Sequence, residues 1–247
     1  MRELIKNIYT NTLGSLYNPK SNTVVLNGHD FNMGNIKIDK KKEKVNNLLN
    51  KLSKGYKLLN LEEAIFNIEK NKKNSPQIAF TFDDGFFECA EIAEVFSAKK
   101  VSVGFFLSTG YHSNKKSELP LNKFKKPFLN EQDIVKIDNL GHIIGAHTHS
   151  HISLNSISKD NFYSEIIKPK KYIKDIINKD CNYFAPPYGT AELLSEDMLT
   201  EIQNEYKFIF WSNNKNLTSI ERGGVNRRHF ELNWSYNSLN YFLSKRK

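Results

Sequence analysis

The sequence predicts an α/β fold, a mainly parallel sheet with helices outside it. Apolar strand-like runs alternate with segments of helical period along the chain, which is the pattern of strand–helix units. The 247 residues are a length that α/β barrels use as one domain. Four of the strand runs also end in polar, chemistry-bearing residues, and the C-terminal strand ends are where such sheets place their sites.

The strand runs, in order, are Thr23–Leu26, Gln77–Phe82, Ser102–Leu107, His142–Ala146, Tyr183–Ala185 and Lys207–Trp211. Between them lie amphipathic stretches at Val45–Leu52, Leu61–Lys70, Phe87–Ala98, Glu131–Asn139, Phe162–Ile177 and Ser195–Glu205, with Ser235–Leu243 closing the chain. Asp160 or Asn161 is placed to cap the Phe162 helix, and Ser195 followed by Glu196 and Asp197 opens the next one with favourable charge. Pro169 falls in the second turn of the Phe162 segment, so that helix is expected either to tolerate it or to begin near Lys168. Ser108 to Asn130 holds Pro120 and Pro127 with little apolar period and reads as a functional loop or flap over the site. With no internal repeat and no divisive linker, residues 1–247 are expected to form a single domain.

Composition narrows the function classes. Apolar residues at 39% and charged residues at 26% exclude a disordered chain. The net charge of +9 comes from scattered lysines not interleaved with aromatics, so no nucleic-acid partner is expected. Cys89 and Cys181 fit neither a disulfide framework nor a thiolate metal site and read as packing residues. No run approaches the ~20 apolar residues of a membrane span, and the N-terminus sustains no apolar leader core. A cytoplasmic protein, with peripheral membrane contact at most, is the expectation.

The chemistry lies at the strand ends. Ile78–Phe82 runs into Asp83-Asp84-Gly85, Ile143–Ala146 into His147-Thr-His-Ser-His151, Phe184-Ala185 into Pro186-Pro187-Tyr188-Gly189, and Val24–Leu26 into Asn27-Gly-His29-Asp30. In an extended chain adjacent carboxylates point to opposite sides, so one of the Asp83–Asp84 pair can ligate a metal while the other serves the substrate. Three histidines within five residues exceed what packing explains. The metal pair is His147 with His151, or His147 with His149 as in PHP-like phosphoesterases. Aromatic residues Tyr111, Phe124, Phe128, Trp211 and Trp234 can stack on sugars, but packing is the default for each.

These motifs together resemble those of the polysaccharide deacetylases, carbohydrate esterase family 4, also called the NodB homology domain. Thr81-Phe-Asp-Asp-Gly85, His147-Thr-x-x-His151 and Ala185-Pro-Pro-Tyr-Gly189 carry the resemblance, over roughly Val24 to Trp211. It implies a distorted (β/α) barrel of about seven mainly parallel strands with outer helices. It further implies a divalent metal, zinc first with cobalt or nickel as alternatives, held by Asp84, His147 and His151. Asp83 would be the catalytic base, Thr148 would position the loop, and Pro187 with the Tyr188 N–H would face substrate and oxyanion. The implied activity is removal of an N-acetyl or N-formyl group from an amino sugar or glycan precursor, with phosphate- or lipid-linked sugars as further candidate substrates.

The chain departs from the family pattern at two points. Ala185 stands where most members carry the arginine that orients the base, and the C-terminal Leu-x-His motif that supplies the acid is not evident. Arg227 and Arg228 are the replacements to weigh for the first. For the second, the poly-N-acetylglucosamine deacetylase branch takes its acid histidine from the end of the first strand, which designates His29 here, ahead of His229 and His112. The missing arginine also leaves open an inert member that only binds a glycan or lipid-linked sugar.

Overall fold

The computed structural model describes residues 2–72, 75–112, 126–189, 194–212 and 220–244. Helix α1 (Arg2–Gly14) leads into strand β1 (Thr23–Gly28), helix α2 (Ile38–Leu52), strand β2 (Lys57–Leu58) and helix α3 (Leu61–Glu69). There follow β3 (Gln77–Phe82), α4 (Cys89–Ala98), β4 (Gly104–Leu107), α5 (Glu131–Asn139) and β5 (Ile143–Ala146). Helix α6 (Lys159–Phe162) passes through a π turn at Tyr163–Ile167 into α7 (Lys168–Ile177). The chain ends with β6 (Tyr183–Phe184), α8 (Glu196–Glu205), β7 (Phe208–Trp211), β8 (Ile220–Glu221), β9 (Gly224–His229) and α9 (Tyr236–Ser244).

Seven parallel strands close into a barrel in the order β1-β3-β4-β5-β6-β7-β9, with β9 returning to pair β1. β8 adds an antiparallel edge to β9, and β2 joins the N-terminal part of β3. The barrel is uneven: β5 and β6 share only the Ala146–Phe184 pair, whereas β1 and β3 are paired over six positions. The strand runs read from the sequence form six of the seven staves. The seventh, β9, was missed because Gly-Val-Asn-Arg-Arg-His lacks an apolar alternation; its inward arginine is buried against polar groups instead.

Local chemistry fixes several helix ends. Asn130 and Asp133 form a reciprocal capping box on α5, and Ser195 accepts from the Met198 N–H to start α8. The cap of α6 is Ser158, boxed with Asn161, rather than Asp160 or Asn161. Pro169 does not end the helix but removes one of its bonds: lacking an N–H, it cannot donate to the carbonyl four residues back. Lys168 N–H instead bonds the Tyr163 carbonyl, five residues back, and the helix absorbs the proline as a π turn. Helix α1 docks on α9, where Thr10 bonds Ser238 and Asn240 donates to the Gly14 carbonyl.

Side-chain alternation sorts the two cores. Val25, Ala79, Phe106, Phe210 and Val225 fill the barrel, plugged from below by Leu61, Ala64 and Ile65 of α3. The opposite strand faces pack against the outer helices in a larger cluster around Phe80, Phe82, Phe96 and Phe105. Both cysteines are buried and belong to that cluster. Tyr111 and Phe128 stack on each other, Trp234 stacks on Phe242, and Trp211 is fully buried, so these aromatics pack. Phe124 and residues 113–125 of the expected flap lie outside the described residues.

Two residues further along each strand, the inward apolar layer gives way to polar groups: Val25 to Asn27, Ala79 to Thr81 and Asp83, Gly145 to His147, Val225 to Arg227. The Phe106 ring fills the space beside Gly145, where an added Cβ would stand 2.6 Å from the ring and 2.8 Å from the Tyr183 carbonyl oxygen. Gly145→Ala is therefore expected to overpack the barrel and cost about 1–3 kcal/mol of unfolding free energy. Urea unfolding checks this; a midpoint equal to that of the parent would contradict it.

Candidate metal centre

Asp83 and Asp84 leave β3 side by side but serve different partners. Asp83 is buried and carries a two-pronged ion pair with Arg227 of β9, Oδ1 to Nη1 at 2.6 Å and Oδ2 to Nη2 at 2.8 Å. Asn27 donates to the same Oδ2 at 3.3 Å. The guanidinium is itself held in place by Thr81 Oγ1, Ser212 Oγ and the Trp211 carbonyl, and it lies over the Phe106 ring. Burial alone pushes the Asp83 carboxyl up; Arg227, with His147 and His29 nearby, outweighs it and holds the group below the usual carboxylate range. Of the two arginines weighed as replacements at Ala185, Arg227 makes the contact. Arg228 instead lies over the Phe242 ring.

Asp84 turns the other way, at φ 70°, towards His147 and His151. His151 Nε2 stands 3.1 Å and His147 Nε2 3.4 Å from Asp84 Oδ1. One ligand atom from each of the three residues lies within 4.8 Å of the others. Nevertheless Asp84 Oδ1 is buried and accepts no hydrogen bond among the described residues. His147 donates from Nδ1 to the Ala185 carbonyl at 2.5 Å, so whenever the ring is neutral its Nε2 lone pair faces the cluster. Burial pushes the Asp84 carboxyl up and the two imidazoles pull it further down, leaving it ionised. Burial lowers the His147 pKa while Asp83 and Asp84 raise it, with a net rise. A buried carboxylate oxygen and two imidazole nitrogens aimed at one point, in a negative field, fit a divalent cation.

Backbone geometry at the site is costly. Asp84, Thr148, His151 and Tyr188 all have positive φ, between 54° and 70°. For non-glycine residues this costs of order 1–3 kcal/mol each and persists where surrounding contacts over-determine it. Thr148, fully buried, sits in sequence between His147 and His151 and turns the chain at positive φ. The Tyr188 ring is exposed and meets the His151 ring edge-on at 5.3 Å, following Pro187 at the mouth of the cluster.

Other sequence candidates resolve differently. His149 is directed away from the cluster, Nδ1 to Thr109 Oγ1 at 3.1 Å and Nε2 to Lys168 Nζ at 3.3 Å, so of the two pairings open in the sequence it is His147–His151 that converges with Asp84. His112 is buried with its two ring nitrogens 3.0 Å from the carbonyls of Leu129 and Asp84, so both are engaged by backbone and neither is presented to a substrate. His29 follows Gly28, whose register partner is Phe82 just before Asp83. Its ring is 5.8 Å from that of His229, and His229 Nε2 is 2.9 Å from Glu231 Oε1. Glu165 was missed: it is buried and accepts from the backbone of His149 and Ser150, yet nothing in its sequence neighbourhood marks it. Arg227→Met would strand a buried carboxylate and is expected to cost about 3–5 kcal/mol of stability. Arg227→Lys, lacking the planar fork, is expected to recover only part of it in denaturant unfolding; full recovery by lysine would contradict the two-pronged assignment.

The comparisons agree with this geometry. The Polysaccharide deacetylase family pattern matches residues 70–208. A peptidoglycan-N-acetylglucosamine deacetylase of Bacillus cereus is 28% identical over 141 residues, 56% of this chain and 45% of that protein. A chitin deacetylase of Pestalotiopsis sp is 26% identical over 118 residues, 47% of this chain and 36% of that protein. The chain thus spans about half the length, or less, of these curated relatives. Among solved structures, IcaB from Ammonifex degensii superposes with a TM-score of 0.71 at 16% identity, covering 93% of this chain and 100% of that one. Streptococcus pyogenes deacetylase PplD, in complex with acetate, superposes with a TM-score of 0.69 at 17% identity, covering 93% and 99%. At such identities the superpositions speak for the fold. The family match covers more than half of the chain and includes the Asp84, His147 and His151 cluster, and the chain belongs to the polysaccharide deacetylase family.

Proposed function

We propose that the protein is a metal-dependent N-deacetylase that hydrolyses the acetamide, or formamide, of an amino sugar within a glycan or glycan precursor. The observation that carries this is the division of labour at the end of β3. Asp84 joins His147 and His151 in a cation site, while Arg227 draws Asp83 out of that site and keeps it ionised beside it. When bound there, a divalent ion supplies Lewis acidity, making water nucleophilic near neutral pH and polarising the amide carbonyl.

The chain's own residues supply the proton transfers. Asp83 keeps lone pairs beyond those that Arg227 and Asn27 engage and accepts a proton from the attacking water. As the new C–O bond forms, charge collects on the carbonyl oxygen, and the Tyr188 N–H is assigned to receive it. Breaking the C–N bond expels an amine, which needs a proton as it leaves. His29, at the end of β1, is assigned as donor, the place from which the resemblance to the poly-N-acetylglucosamine deacetylase branch draws its acid; its ring neighbours His229, which pairs with Glu231. The products are acetate and the free amino sugar.

The relatives carry names that specify peptidoglycan N-acetylglucosamine and chitin, and an N-acetylglucosamine-containing glycan is the substrate class we carry over. The inert-binder reading drew on the missing arginine at Ala185; Arg227, arriving from β9, fills that electrostatic role. Zinc is the metal we expect, with cobalt or nickel as substitutes. Among the described residues no helix is long and apolar enough to cross a membrane.

Acetate release from N-acetylglucosamine oligosaccharides and from nucleotide- and lipid-linked N-acetyl sugars, measured on metal-loaded protein, tests the proposal. Asp83→Asn and His29→Gln are each expected to lower kcat by about 10²–10⁴, and the His147→Ala/His151→Ala double variant to lose the metal. Acetate release undiminished in Asp83→Asn, or metal retained in the double variant, would refute it.

A further inference from the structure

We infer that Glu165 is a positioning residue for the metal centre, holding the loop from His147 to His151 in its ligating conformation through the His149 and Ser150 N–H groups. The inference rests on the reading of Asp84, His147 and His151 as metal ligands. That loop must place two imidazoles four residues apart on one point. It does so by turning at Thr148 and His151, both at positive φ, one of them β-branched. Such a conformation needs outside support.

Glu165 provides it. Its Oε2 accepts from the N–H of His149 at 3.1 Å and of Ser150 at 3.0 Å, and its Oε1 accepts from Ser150 Oγ at 2.8 Å. Both peptide N–H groups between Thr148 and His151 are therefore bound by one buried carboxylate, and charge-assisted bonds of this kind are the strong ones. The same segment holds the loop a second time. Lys168 donates to His149 Nε2, which leaves the His149 Nδ1–H to donate to Thr109 Oγ1. The carbonyls of Thr148 and His149 accept from Thr109 and Gly110. Glu165 lies in the π turn enforced by Pro169, and a π turn inside a helix is a recurrent feature of functional sites. The helix irregularity and the ligand loop are thus parts of one device.

The test is metal affinity, read by competition with a chromogenic chelator and by the visible spectrum of bound cobalt, on the full chain. Glu165→Ala is expected to weaken the zinc Kd by about 10- to 100-fold and to alter the cobalt bands. Glu165→Gln, whose amide oxygen can still accept from both N–H groups while its NH₂ donates to Ser150 Oγ, is expected to stay within about threefold of the parent. A purely structural glutamate would lower the unfolding midpoint and leave the Kd of the folded protein unchanged, and that result overturns the inference. If Glu165→Ala fails to fold, Ser150→Ala, which removes only the Oε1 bond, must show a smaller weakening in the same direction; a parent-like Kd overturns the inference equally. Failure of the parent itself to bind metal would instead strike the metal-site reading, and is told apart by that control.

Discussion

Two adjacent carboxylates are buried at the mouth of a barrel, and each has to be compensated by positive charge. Asp83 has a guanidinium built into the barrel wall. Asp84 has two imidazole nitrogens beside it and an oxygen that accepts no hydrogen bond among the described residues. An uncompensated buried carboxylate costs several kcal/mol, and among the described residues only the two imidazoles stand against Asp84, which makes the second position a candidate site for a cation. The proposed site follows from that asymmetry: the paired aspartate stays with the protein and the other is available to a metal.

The fold creates the asymmetry through closure. β9 slots between β7 and β1 with Arg227 opposite Val25, and the long side chain carries the guanidinium to Thr81 and Asp83. Apolar side chains fill the layers below, so the polar layer sits on a dry floor where its ion pair is little screened. Above it, the loops after β3, β5 and β6 adopt left-handed backbone at non-glycine residues. Glu165 and His112 hold two of those loops from behind, the first through the His149 and Ser150 N–H groups and the second through the Asp84 carbonyl. Strain at the site is matched by polar support one shell further out.

Much of this was legible in the sequence. Six staves announced themselves by apolar alternation, and the candidate ligand clusters by their place at strand ends, because both signals are local; which members form the set came from the motif resemblance. What was not legible depended on partners distant in sequence. β9 reads as polar because its inward Arg227 answers Asp83, 144 residues away. Arg227 and Arg228 could not be separated until the pairing of β9 set which one points inward. Glu165 is one acidic residue among many until Pro169 opens the helix and turns it on the loop. The choice between His149 and His151 likewise needed Thr109 and Lys168, which take His149 out of contention.

The central claim, that a cation is held by one carboxylate and two imidazoles, is most directly tested by X-ray absorption at the metal edge of zinc- or cobalt-loaded protein. The account predicts two imidazole ligands, the remaining ligands being oxygen. A shell with one imidazole or none, or any shell containing sulfur, would contradict it.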